Sequence, residues 1–106
     1  MKFAAFAVAA TLAMAGMPAM ADDAKLARGK EVFMSKAVPA CAICHTLADA
    51  GAAGVIGPNL DELKPDAARI MKVLKEGMGT MPSFAATLSA EDQEAVAAYI
   101  VHATSK

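Results

Sequence analysis

The chain's two cysteines, Cys41 and Cys44, lie three residues apart, and there is no third. A disulfide between them would close a loop too short to restrain the unfolded chain by much. The N-terminus makes the shortage of stabilisation worse. It runs Met1-Lys2, an apolar stretch from Phe3 to Ala15, Gly16-Met17-Pro18, then Ala19-Met20-Ala21 before Asp22-Asp23. A basic end, an apolar run and a small-x-small site predict a secretory signal peptide over residues 1–21, cleaved after Ala21. The rival reading is a retained membrane anchor, because Phe3 to Ala21 is near the length that crosses a bilayer. Gly16, Pro18, the weakly hydrophobic alanine content and the acidic flank argue against it. Cleavage leaves a domain of about 85 residues, 22–106, without membrane association. A domain that small usually needs a staple. Much of the 57% apolar content is alanine in the removed segment, so the remaining core is thin. With a net charge of −1, the chain has no basic footprint for nucleic acid.

Periodicity in the remainder is helical. Between Asp23 and Met34 the positions Leu26, Gly29, Val32 and Phe33 share one side of a 3.6-residue repeat. Gly29, inside that helix, costs about 1 kcal/mol relative to alanine, a penalty that makes sense where another backbone passes close by. From Ala37 to Pro58 the pattern dissolves and mainly loop is expected. Leu60 to Leu63 forms a brief turn. Pro65-Asp66 opens a helix whose face shows Ala67, Ile70, Val73 and Leu74, ended by Gly77 and Gly79. After a loop from Gly77 to Leu88, Ser89 caps a last helix that carries acidic residues in its first turn and runs to about Thr104. Its stripe of Val96, Tyr99, Ile100 and Ala103 calls for a partner, and the Leu26, Gly29, Phe33 face supplies one. No stretch alternates with period two over a useful length. The fold class is all-α.

The chemistry lies in Cys41-Ala42-Ile43-Cys44-His45, the pentapeptide of covalent haem attachment. Two thiols at i and i+3 fall on one side of a helical turn, so both can add to vinyl groups along one porphyrin edge while His45 faces the iron. A redox-active dithiol would want a βαβ setting, which is missing. Zinc would need a fourth ligand, and the only other histidine, His102, is far along the terminal helix. An electron-carrying iron needs a second axial ligand. The candidates are Met34, Met71, Met78 and Met81. Met34 and Met71 read as packing residues on helices. Met78 and Met81 sit in a loop with two glycines, and Pro82 restricts Met81 to extended conformations, which favours Met81. His102 reads as a surface histidine, and Lys64, Lys72 and Lys75 as a solvated helix face that could also steer a partner.

The order Gly29-Lys30-Glu31-Val32-Phe33, Cys41 to His45, Gly57-Pro58-Asn59-Leu60, Met81-Pro82 with Phe84, then Val96 and Tyr99 resembles a class I c-type cytochrome of the small monohaem bacterial type, over nearly all of residues 23–104. The resemblance implies a small cytochrome c fold with crossing N- and C-terminal helices and one haem c. It implies that His45 and Met81 are the axial pair of the iron, and that the Pro58 carbonyl accepts a hydrogen bond from the other ring nitrogen of His45. Leu60, Ile70, Val73, Leu74 and Phe84 would line the haem pocket. The loop before the methionine is shorter than in larger relatives, which should leave a propionate edge more exposed. It implies an electron carrier of the periplasm rather than an enzyme. Its partners would be redox proteins: a periplasmic dehydrogenase, such as one oxidising sulfite or alcohols, or the bc1 complex as donor, and a terminal oxidase as acceptor.

The expected chemistry is outer-sphere transfer of one electron by a monomer, with both axial bonds kept. Segments 37–47 and 77–90, expected around the exposed haem edge, contain no Asp, Glu, Lys or Arg, so docking should rest on an uncharged patch and depend weakly on salt. An enzyme or gas-binding protein would need a distal polar group, for which Arg69 is the sole weak candidate. A subunit within a larger oxidoreductase is the third possibility.

Overall fold

The structure, a computed structural model, describes residues 17–106. The expected signal peptide lies outside the described residues up to residue 16. Among the described residues no helix is long and apolar enough to cross a membrane. The first helix, α1, spans Met17–Glu31 and so starts ahead of the Asp23 that periodicity suggested. Pro18 stands in its first turn, where a missing N–H costs nothing.

The chain then widens into one π turn, Val32–Lys36, closed by the Ala37 N–H donating to the Val32 carbonyl at 3.0 Å. The wider turn shifts the register of the buried side, and the adjacent residues Val32 and Phe33 are both fully buried. Met34 falls on the other side and is half-exposed, so it is not the packing residue its helical position suggested. Met71 does pack against the core.

At the other end of the chain α5 spans Ala90–Thr104, with the Ser89 hydroxyl accepting from the Asp92 N–H at 3.1 Å. Its predicted stripe of Val96, Tyr99, Ile100 and Ala103 is buried. The two helices cross at Gly29: a Cβ there would stand 2.1 Å from the Ala95 carbonyl oxygen and 2.6 Å from the Tyr99 Cβ. Phe33 meets Tyr99 edge to face, ring centres 6.2 Å apart. Charge seals the rim of the crossing. Asp92, buried, receives Arg28 Nε at 2.6 Å and Lys36 Nζ at 2.8 Å, while Glu91 receives Arg28 Nη1 at 3.3 Å. These cations hold the Asp92 carboxyl below its ordinary range, the Lys36 hydrogen bond contributing most. On the far side Asp49 accepts from the Tyr99 hydroxyl at 2.5 Å and pairs with Lys106 at 2.6 Å.

Residues 37–58 are less of a loop than the pattern implied. They hold a helical turn, α2 (Cys41–Cys44), and a minimal antiparallel hairpin of β1 (Thr46–Leu47) and β2 (Ala52–Ala53), in register Thr46↔Ala53 and Leu47↔Ala52. A 3-10 turn over Ala48–Ala50 and Gly51 at φ 65° make the connection. Strands two residues long leave no alternation to read in the sequence.

The short helix α3 (Leu60–Leu63) is capped by Asn59, whose side chain accepts from the Asp61 and Glu62 N–H groups, and α4 (Ala67–Glu76) is capped by Asp66, which accepts from the Arg69 N–H. On α4, Ile70 and Leu74 are buried and Val73 is half-buried, whereas Ala67, expected on the same face, is exposed.

Candidate functional site

Between α1, α2, α4, α5 and the loop after α4 lies a cavity of ≈ 370 Å³. Its size falls within the range of small-molecule and cofactor sites.

One wall is the cysteine turn. Cys41 and Cys44, at the two ends of α2, are free thiols, and both border the cavity. Burial pushes the Cys41 thiol up to about 11, opposed by a hydrogen bond from its own backbone and reinforced by Cys44. His45 follows directly, its N–H donating to the Cys41 carbonyl at 2.9 Å. The His45 Nδ1 lies 2.7 Å from the Pro58 carbonyl oxygen. A carbonyl only accepts, so Nδ1 carries the proton and donates, which leaves the Nε2 lone pair as the ligating atom. The ring is held from behind as well. Gly57 packs flat against it, a Cβ there standing 2.6 Å from the His45 Cε1, and the Gly57 N–H donates to the Cys44 carbonyl at 2.7 Å. The return segment 54–58 can run this close only because position 57 has no side chain.

The opposite wall is the loop after α4. Met78 and Met81 exchange two backbone hydrogen bonds, of 3.0 and 2.9 Å, across a tight turn of Gly79-Thr80. Both methionines border the cavity. Met81 is half-buried against the core, while Met78 is 67% exposed. The turn is tied back to α4 by the Phe84 N–H donating to the Leu74 carbonyl at 2.7 Å and the Ser83 hydroxyl donating to the Lys75 carbonyl at 2.5 Å.

Leu60, Ile70, Val73, Leu74 and Phe84 all border the cavity, as does Pro58. Residues that the sequence reading did not assign to the cavity complete the wall: Phe33, Leu63, Val96 and Ile100, with Arg69 at its edge. Val96 and Ile100, one helical turn apart, carried a usable signal, because the α5 stripe is wider than one helix crossing needs. His102 and Lys64, Lys72 and Lys75 are exposed and off the wall. Among the described residues no cluster of His, Cys, Asp and Glu could hold a bare metal ion, which speaks against the zinc alternative.

The donor set suits a haem better than any small substrate. Two thiols sit on one turn, the adjacent imidazole has its other nitrogen already committed, a thioether stands on the facing loop, and the rest of the wall is almost wholly apolar.

The sequence model of the family described as cytochrome c oxidase, cbb3-type, subunit III matches residues 24–100. The crystal structure of the c-type cytochrome SorU from Sinorhizobium meliloti is similar, with 50% identity over 79% of this chain and 95% of that one, and a TM-score of 0.75. No curated protein matches the chain.

Proposed function

The chain belongs to the cytochrome c oxidase cbb3-type subunit III family of c-type cytochromes, and from that membership and the cavity we propose that it is a periplasmic single-electron carrier with His45 and Met81 as axial ligands. Members of this family carry haem c and pass electrons. When bound, the haem supplies a one-electron ferrous/ferric couple.

The chain's own residues do the rest. Cys41 and Cys44 would hold the macrocycle through thioether bonds. The bond from the Nδ1–H of His45 to the Pro58 carbonyl fixes the tautomer and ring orientation and raises the basicity of the coordinating nitrogen. Ile70, Leu74 and Phe84, all buried, keep water from the site. A dry, apolar wall disfavours the more highly charged oxidised state, and thioether ligation by Met81 works in the same direction, so the potential lies above that of a bis-histidine site. The carrying observation is the Nδ1-to-Pro58 bond, because a hydrogen-bonded imidazole next to two cavity-lining thiols serves no purpose in a cavity built only for packing.

Electron exchange needs a partner to approach the cavity edge. Val38, Ile43, Val55, Ile56 and Met78 are exposed there or close to it in sequence, the last two bordering the cavity itself. With segments 37–47 and 77–90 free of charge, docking rests on apolar contact, with charges only at the rim. The proposed donors are a periplasmic dehydrogenase or a bc1-type complex, and the proposed acceptor is a terminal oxidase.

The ligand assignment is tested on the exported protein. A weak band at the red end of the ferric spectrum reports iron–methionine bonding; it is expected to vanish in Met81→Ala and to persist in Met78→Ala, and the reverse would overturn the assignment. A second reading is favoured by the family's description, which names an oxidase subunit: the chain would then work inside a larger complex. Migration as a free monomer in gel filtration supports the soluble carrier, and stable copurification with membrane subunits supports the other.

A further inference from the structure

Arg69 is the one acidic or basic side chain that the described residues contribute to the cavity wall apart from the Cys41–Cys44–His45 turn. On α4 it stands one turn before Val73 and beside Ile70, on the face that otherwise supplies apolar wall. A design for packing alone would place an aliphatic residue there. Its backbone N–H is used by the Asp66 cap at 2.8 Å, and among the described residues its guanidinium forms no ion pair. A planar cation at the edge of an apolar cavity, with no protein partner, suits a ligand carboxylate.

Resting on the haem reading above, we propose that Arg69 is the counter-ion of the haem propionates, keeps them ionised and sets the potential of the iron through them. The neighbouring charges do not compete for the role. Asp66 is spent on its cap, and Lys64, Lys72, Lys75 and Glu76 lie off the wall. From α3, Asp61 accepts from the Ala48 N–H at 2.8 Å, and Glu62 is exposed and off the wall. From α5, which packs against α4, Glu91 and Asp92 are paired with Arg28, while Glu94 and His102 are exposed and off the wall. A cation at this edge stabilises the reduced iron directly and lowers the proton affinity of the carboxylates.

The test compares exported wild type, Arg69→Gln, Arg69→Lys and Lys72→Gln, the last removing an exposed charge from the same helix. Covalent haem is first verified by absorbance; its absence from the wild type would bring down the haem reading, not this one. Redox titration against a mediator is expected to move Arg69→Gln toward the oxidised form about three- to tenfold at neutral pH, ~30–60 mV for one electron. The wild-type potential should be flat around neutrality, whereas that of Arg69→Gln should rise as pH falls through the freed carboxylate pKa. Arg69→Lys should keep most of the wild-type value, and Lys72→Gln should shift less than twofold. Superimposable wild-type and Arg69→Gln curves, or equal shifts in Arg69→Gln and Lys72→Gln, would overturn the proposal. Should Arg69→Gln fail to mature, NMR titration of the propionate carbons in the reduced wild type decides: a carboxylate ionising below the ordinary range supports Arg69, and two ordinary ones refute it.

Discussion

The helix crossing and the cavity half are built on opposite terms. Where α1 meets α5, backbone touches backbone at Gly29, rings meet at Phe33 and Tyr99, and the rim is closed by Asp92 with Arg28 and Lys36. Every apolar group there has a protein partner. In the other half, α2, α3, α4 and the methionine turn face a cavity, and side chains such as Ile70, Leu74 and Phe84 present part of their surface to it. The chain alone completes the first region, whereas the second is a mould. The two are joined, because Phe33, Val96 and Ile100 belong to the core of the crossing and also form the rear wall of the cavity.

The largest effect should come from preventing the mould from being filled. Replacing both Cys41 and Cys44 by serine in the exported protein removes covalent attachment, and each large wall side chain left against water forfeits roughly 1.5–3 kcal/mol. Several such losses rival the whole stability of a small domain. Amide exchange is therefore expected to lose its protection across α3, α4 and 77–88 and to keep the most along α1 and α5. Equal loss in both regions would erase the distinction.

The converse probe strikes the crossing and spares the cavity. Gly29→Ala puts a methyl group 2.1 Å from the Ala95 carbonyl oxygen, and since that neighbour is backbone, the helices must separate. The expected cost is about 3 kcal/mol, read as a lower denaturant midpoint with the haem spectrum of the folded protein unchanged. A neutral Gly29→Ala would mean that the crossing is looser than its geometry.

Legibility in the sequence divides along the same line. The crossing was readable because its signals are local and periodic: a glycine within a helix, a four-residue stripe, and Ser89 ahead of an acidic turn. The cavity half was readable only through its chemistry, the thiol pair with His45. Its hairpin was too short to show a period, and the π turn at Val32–Lys36 left no mark other than two adjacent large apolar residues. The rear wall escaped because Val96 and Ile100 serve two regions at once, and a pattern records burial without saying against what. The half-exposed Met34 was misjudged for a related reason: one extra residue in a turn rotates everything after it.

At the rim of the crossing Asp92 offers a smaller, pH-dependent probe. Its folded-state pKa is depressed by Lys36 and Arg28, so its contribution is complete above the ordinary carboxylate pKa and is lost as pH falls through the lower folded value. Asp92→Ala should cost about 2 kcal/mol at neutral pH and show a shallower decline of stability below about pH 4 than the wild type. Asp49 is depressed in the same sense by Lys106 and Tyr99, so some decline remains. An unchanged acid limb would show that the pair is held by geometry without contributing to stability.

The smallest effect is expected where the crossing touches the cavity half by a single hydroxyl. Tyr99→Phe keeps the edge-to-face contact with Phe33 and removes only the hydrogen bond to Asp49. Asp49 also has Lys106 and some solvent exposure, so the cost at neutral pH should be about 1 kcal/mol. The alkaline limb is the sharper readout. Burial and the Asp49 carboxylate raise the Tyr99 pKa well above its ordinary value of 10.0, so the folded protein keeps the proton that the unfolded chain gives up. The stability this contributes is whole below pH 10 and fades as pH rises toward the folded value. Phenylalanine has nothing to titrate, so the Tyr99→Phe curve should stay flatter and close on the wild type above pH 10 in denaturant melts. Parallel alkaline limbs would place the Tyr99 hydroxyl in water and leave the Asp49 link to Lys106 alone.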